Sequence, residues 1–215
     1  LSPFSADQSF NIGVTGHRLN RISQLQLDRL TPQVRPLLAQ IARAAGARIT
    51  LISGLAEGAD RHLAQLALAQ GFALHAVLPF ARDVYRRDFA TVASRRQFDA
   101  LLARAERIAE LPGQRAINGD AYRLAGHALM EQVHLLLAVW DGKPSQGAGG
   151  TAEIVGEACR RHIPVIHLSV NPPAPAQLIW QRHGRCAADA TTHAKPCTAT
   201  QVASVIAQLR TRRKS

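Results

Sequence analysis

The chain has 215 residues, 47% hydrophobic and 19% charged, with a formal net charge of +11. This composition excludes a disordered chain and suits one α/β domain with a sizeable core, and no apolar run approaches the roughly 18 residues of a membrane-spanning helix. The excess charge is nearly all Arg, scattered apart from the tail "RTRRKS", and admits a nucleic acid or another polyanion as partner.

The opening "LSPFSADQSF" has neither the basic start nor the apolar core of a signal peptide. The sole methionine is Met130, which suits a processed form or an excerpt. "FNIGVTG" (10–16) reads as a strand, and residues 26–46 as a helix stopped by Gly46, with Pro32 and Pro36 interrupting or restarting its beginning. "RITLISG" (48–54) is a second strand, residues 58–71 a helix, and "ALHAVLP" (73–79) a third strand. A charged connector (80–90) leads to a helix (92–105) and a short strand (107–113). Residues 119–134 form a helix with apolar positions at 121, 124, 125, 128 and 129. A strand (135–142), a helix (151–162) and a last strand (164–170) complete the pattern.

Near-continuous apolar strands alternating with helices imply a mostly parallel sheet covered on both faces. After Val170 the Pro-rich "NPPAPAQ" breaks the texture, and residues 171–215 read as an appendage to the domain 10–170, with a closing helix at 200–210. The three cysteines, Cys159, Cys186 and Cys197, form no CxxC pair and suit a reducing, cytoplasmic setting.

In such sheets ligands sit beyond the carboxyl ends of the strands. The unusual residues lie there, in "VTGHR", "ISGLAEGAD", "LPFARDVYRRDF" and "WDGKPSQGAGGTAE". "GAGGTAE" opens a helix with glycines. Gly149 and Gly150 allow close approach of a phosphate to the helix N-terminus, and Thr151 can cap the helix or donate to it. In "GVTGHR", Thr15 and Gly16 end a strand and Arg18 offers a fork of donors, with His17 beside it. Ser53, Gly54 and Gly58 flank the second strand end, and Asp60 falls in the first turn of the next helix. Arg82, Tyr85, Arg86 and Asp88 are placed to close over a ligand. His183, Cys186, His193 and Cys197 are the right ligand types for zinc, but their HxxC and HxxxC spacing is not a recognised zinc pattern, so no metal is assigned.

Taken together, "IGVTGHR", "ISGLAEGADRHLAQLAL", "HAVLPFARDVYRRDF", "LLLAVWDG" and "GGTAEIVGEA" resemble the SLOG superfamily, which includes the Lonely Guy phosphoribohydrolases and DNA-processing protein A. The resemblance spans about residues 10 to 170. It implies a Rossmann-like three-layer sandwich and a nucleotide or nucleotide-derived ligand at the carboxyl rim, held as by a sensor or carrier domain. The binding residues it implies are Gly13, Thr15, Gly16, His17, Arg18, Ser53, Gly54, Gly58, Asp60, Pro79, Asp141, Gly149, Gly150 and Thr151. No cofactor is implied, and a homodimer is common in the family.

Two alternatives stay open. A nucleoside 5′-monophosphate phosphoribohydrolase would use Glu153 as acid/base and Arg82 as its electrostatic partner. The Lonely Guy motif is matched only in part, because no Pro precedes the glycines and Ile154 stands where the motif's last Glu falls. A single-stranded DNA module, like DNA-processing protein A, rests on the charge and on the "SGLAEGAD" loop.

Overall fold

Apolar residues on both faces of the strands decide the layering. The computed structural model describes residues 9–114, 118–144, 149–171, 174–180 and 194–212. The first six strands are β1 (Phe10–Gly16), β2 (Ile49–Ser53), β3 (Ala73–Leu78), β4 (Arg107–Glu110), β5 (Leu135–Trp140) and β6 (Val165–Ser169). Two short ones follow, β7 (Gln177–Ile179) and β8 (Lys195–Pro196). All belong to one sheet of order β4-β3-β2-β1-β5-β6-β7-β8. Pairings from β4 through β6 are parallel, and the β6–β7 and β7–β8 pairings are antiparallel. The fold is α/β, with a mostly parallel central sheet between helical layers.

The helices are α1 (Gln24–Ala45), α2 (Ala59–Ala69), the four-residue α3 (Arg82–Tyr85), α4 (Val92–Leu102), α5 (Asn118–Met130), α6 (Thr151–Arg160) and α7 (Ala199–Arg212). A 3₁₀ turn, Arg86–Asp88, follows α3. One core joins α1, α2, α4 and α7 to Ile12, Val14, Leu51, Leu74, Leu137 and Val139 of the sheet. The other joins α5 and α6 to Ile52, Val77, Leu136, Ala138 and Trp140. Alternate residues of one strand thus serve opposite layers, which is why these strands read as unbroken apolar runs.

Three expectations are revised. Helix α1 is continuous and begins at Gln24, because Ser23 and Gln26 form a reciprocal capping box. Pro32 and Pro36 sit inside it, both exposed. Each lacks the N–H that a helix interior uses, yet they lie four residues apart on the solvent side, where water can satisfy the freed carbonyls. The connector 80–90 is not a plain loop, since it holds α3 and the 3₁₀ turn. The sheet does not end at Val170, because β7 pairs with β6 through Val165↔Ile179. Beyond it, α7 packs on α1 and buries Val202 and Ile206 in the first core.

From β1 the chain moves outward to β2, β3 and β4, then returns to place β5 on the other side of β1. The β1–β5 boundary is therefore a topological switch point, where loops leaving neighbouring strands diverge and open a crevice.

Candidate functional site

At that switch point lies a cavity of about 400 Å³. The end of β1, the loops after β1, β2 and β3 and the start of α6 contribute Thr15, Gly16, His17, Arg18, Gly54, Pro79, Gly149, Gly150 and Thr151, while Asp60 enters from α2. These sequence-selected residues are brought together. The others stand elsewhere. Gly13 lies within β1, where a Cβ would meet Leu129 at 2.8 Å and Val133 at 3.0 Å, so its bareness serves α5 packing. Ser53 is fully buried, accepts from the Leu55 amide at 3.0 Å and acts to hold the Asp60 carboxyl down. Asp141 lies behind His17, with Oδ1 3.1 Å from His17 Nε2 and Oδ2 3.1 Å from an Arg21 nitrogen.

Two glycines let the loops touch. A Cβ on Gly16 would fall 2.5 Å from the Ala59 Cβ and 2.8 Å from the Val139 carbonyl. Gly58 has φ +94°, and a Cβ there would reach 2.6 Å from the His17 carbonyl. Their absence of side chains lets the Ala59 amide donate to the His17 carbonyl at 3.1 Å, which locks α2 against the loop after β1. Gly54 differs: an added Cβ would lie 3.5 Å from Asp60 Oδ2 and 3.8 Å from the Val77 carbonyl, both ordinary contacts.

Helix α6 begins at the cleft. Gly150 is its N-cap and makes no side-chain cap bond, so Thr151 is the first helical residue and not the cap. The first turn of a helix carries N–H groups without intrahelical acceptors and a partial positive charge. Glu153 folds back and accepts from the Gly149 amide at 2.7 Å. Arg82 pairs with Glu110 on β4, and half of its side chain is exposed. Neither Glu153 nor Arg82 lines the cleft, so the hydrolytic pair named from the sequence is not assembled there.

The aromatic wall is only partly legible in the sequence. Tyr85 and Tyr122 line the cleft, and Tyr85 packs edge-on against Phe80, Phe89 and Phe98. The Arg18 guanidinium lies 4.6 Å from the Tyr122 ring centre. The Tyr122 hydroxyl donates to Asp88, and Arg86 turns away to pair with Asp99. Tyr122 is not legible as a site residue because it lies within α5 and not in a loop at a strand end. Its signal was the Ala-rich face of that helix, where Ala125 and Gly126 also border the cavity.

Arg61 was missed as well. It is 1% exposed. Its Nε donates to the Leu55 carbonyl at 2.9 Å, and one terminal nitrogen donates to the Ser94 carbonyl and hydroxyl at 2.9 and 2.8 Å. The guanidinium lies 4.0 Å from the Phe89 ring centre. It fastens α4 to α2 and holds the loop in which Leu55 adopts φ +52°.

Electrostatics single out Asp60. Burial pushes its carboxyl up to about 7, against the pull of Arg18, the Ala56 amide, Arg61 and Ser53. Burial lowers His17 more than Asp141 raises it, so this imidazole is neutral at pH 7. Burial alone would raise Asp141, but the Lys143 amide, His17 and Arg21 hold it below the ordinary carboxylate value.

Of the four residues weighed for zinc, His183, Cys186 and His193 lie outside the described residues, and Cys197 is half-buried. Among the described residues no group of three His, Cys, Asp or Glu side chains is arranged to hold a metal. Nor is any described helix long and apolar enough to cross a membrane.

No protein-family profile and no curated sequence matches the chain. Among solved structures, DNA processing protein A from Streptococcus pneumoniae is similar with a TM-score of 0.51 and 16% identity. The match covers 74% of this chain and 50% of that one, so this chain spans about half the length of that protein. The Moco carrier protein from Chlamydomonas reinhardtii is similar with a TM-score of 0.51 and 18% identity, over 95% of this chain and 99% of the other. At such identity the likeness is one of fold alone, a Rossmann-like α/β sandwich.

Proposed function

We propose that the chain binds a nucleotide or nucleotide-derived ligand in this cleft, as a sensor or carrier domain. One observation carries the reading. The start of α6, the Arg18 guanidinium on its tyrosine and the buried Asp60 carboxyl converge on a single cavity at the switch point of the sheet. A helix N-terminus and a guanidinium suit a phosphate, an aromatic wall suits a planar ring, and a carboxyl suits a hydroxyl or amine of the ligand. The cavity volume is within the range of small-molecule sites. Gly149, Gly150 and Thr151 would take the phosphate with Arg18, and Gly54 and Asp60 the sugar side. The fold shared with a carrier protein favours the carrier form of this reading.

Thermal unfolding against AMP, GMP, NAD, ADP-ribose, cyclic dinucleotides and short single-stranded DNA tests it. A ligand at ~100 times its Kd adds roughly 2.7 kcal/mol. In a chain of this size that raises Tm by about 5–10 °C. A shift with one nucleotide class, insensitive to moderate salt, supports the reading, and a base-release assay on that ligand separates binder from hydrolase. A shift with DNA alone, lost steeply in salt, overturns it in favour of the DNA module.

A further inference from the structure

Strands β1 and β5 run parallel and side by side at the switch point, so the residues that leave them are neighbours too. The His17 amide donates to the Val139 carbonyl at 3.0 Å. One residue past β5, Asp141 accepts from the Lys143 amide at 3.0 Å, in a turn made by Gly142 with φ +80°. The Asp141 carboxylate thus stands behind the cleft wall and touches two side chains of that wall, His17 and Arg21. Its Oδ2 meets Arg21, whose charge balances its own. Its Oδ1 lies 3.1 Å from His17 Nε2, a contact that falls short of full hydrogen-bond geometry. The sign of the contact is fixed all the same. A bare Nε2 lone pair at this distance from a carboxylate is repelled, and an N–H is attracted. His17 is 4% exposed and its Nε2 is enclosed, so the ring nitrogen left to face the cleft is Nδ1. Among the described residues no group is paired with Nδ1. Burial, with Arg21 beside the ring, keeps the imidazole from taking a second proton at neutral pH.

We propose that Asp141 is a positioning residue that fixes the Nε2–H form of His17, so that the cleft offers a bare Nδ1 as acceptor and selects ligands that carry a hydroxyl or N–H donor beside their anionic group. The inference rests on the cleft being the ligand site. A neutral imidazole has one donor and one acceptor, and the partner of one nitrogen decides the role of the other. Arg18 and the first amides of α6 only donate, so they suit any anion. Nδ1 adds a demand that sulfate cannot meet and a hydroxyl-bearing phosphate ester can. An analogue that lacks the donor leaves a buried acceptor unsatisfied and is expected to bind roughly ten- to hundredfold more weakly.

Two arms test this on the whole chain. The first needs no ligand and reads the His17 ring by ¹H and ¹⁵N magnetic resonance at pH 7.5, assigned with His17→Leu. Wild type is expected to show Nε2 protonated and Nδ1 bare. In Asp141→Asn, which removes the carboxylate charge, the Nε2–H signal should move upfield or disappear. A protonated Nδ1 in wild type, or an Nε2–H signal unmoved by Asp141→Asn, overturns the proposal. If Asp141→Asn does not fold, the wild-type ring and the His17→Leu comparison below decide.

The second arm is calorimetry of AMP, 2′-deoxy-AMP, 3′-deoxy-AMP and IMP, in which a carbonyl replaces the exocyclic amine. One analogue should bind wild type at least tenfold more weakly than AMP, and that gap should close in His17→Leu and narrow in Asp141→Asn. Analogues all equal to AMP overturn this inference alone and leave the functional reading standing. So does a gap that survives His17→Leu, since the lost donor then belongs to Asp60. Absence of AMP binding overturns the inference, and the functional reading falls with it only if the rest of the thermal-unfolding panel also fails.

Discussion

Asp60 makes the first prediction at the scale of one residue. Its carboxyl titrates near 7 in the fold, against 3.8 for an ordinary Asp, so the folded state binds the proton more tightly. Stability from this group is complete below about pH 4 and is lost as pH rises through about 7. The loss is on the order of 4 kcal/mol. His17 and His62, both lowered by burial, act in the opposite sense at acid pH. The difference in urea midpoint between wild type and Asp60→Asn, followed from pH 4 to 8, isolates the carboxyl, and a flat difference would contradict the assignment. The two strand-end glycines make the second prediction. Gly16→Ala drives a methyl into Ala59 and the Val139 backbone and should cost about 2–3 kcal/mol. Gly54→Ala meets only ordinary contacts, so stability should stay within about 1 kcal/mol, while on the proposed reading the affinity of the ligand found by thermal unfolding falls roughly tenfold. Equal stability losses in both would remove the distinction. In the sequence these glycines are alike, each closing an apolar run. What separates them is whether α2 or open cleft lies opposite, and that is a fact of tertiary packing.

At the scale of elements, periodicity and glycine punctuation located every major helix and the strands β1 to β6; the inner strands β1, β2, β3, β5 and β6 are largely buried and read as apolar runs, while β4 is an exposed edge strand with a weaker pattern. Failures came where a local rule met a tertiary exception. Two prolines argued against a continuous α1, but the buried stripe Leu27, Leu30, Val34, Leu37, Leu38 and Ile41 holds the helix through them. Strands β7 and β8 are too short and polar to carry a pattern, and they exist because β6 offers them an edge. The site divides in the same way. Loop glycines and Arg18 were legible, whereas Tyr122 and Arg61 sit on helices whose orientation no local pattern states. Pro32 supplies the third prediction. Its ring occupies an exposed helical position and removes a bond to the Asp28 carbonyl. Pro32→Ala restores the N–H at a position of high helix propensity, offset by a looser unfolded chain. A net gain of about 1–2 kcal/mol is expected in urea unfolding. A loss would mean that the proline constrains α1 in a way its exposure does not reveal.

For the whole molecule the question is whether residues after Val170 form a separate unit. Composition argues for an appendage, since the Pro-rich break and weak patterning lack a core of their own. Packing argues for incorporation: Ala176, Val202 and Ile206 are buried in the same cluster as Leu37, Leu38 and Ile41 of α1. An element that buries apolar surface only against another layer cannot unfold early without exposing that layer to water. The chain offers two natural reporters. Trp140 ends β5 at the centre of the sheet, and Trp180 follows β7, its indole nitrogen donating to the His162 carbonyl at 3.2 Å. In Trp180→Phe, fluorescence reports the central sheet, and in Trp140→Phe it reports the C-terminal segment. Within each variant the fluorescence midpoint in urea should coincide with that of far-ultraviolet circular dichroism, as two-state unfolding requires. The comparison is made inside one variant, so the stability cost of replacing the buried Trp140 does not enter. Should Trp180 in the Trp140→Phe variant report an earlier transition than circular dichroism, the C-terminal segment opens on its own. The layer that α7 forms over α1 would then be a detachable cover instead of part of the core.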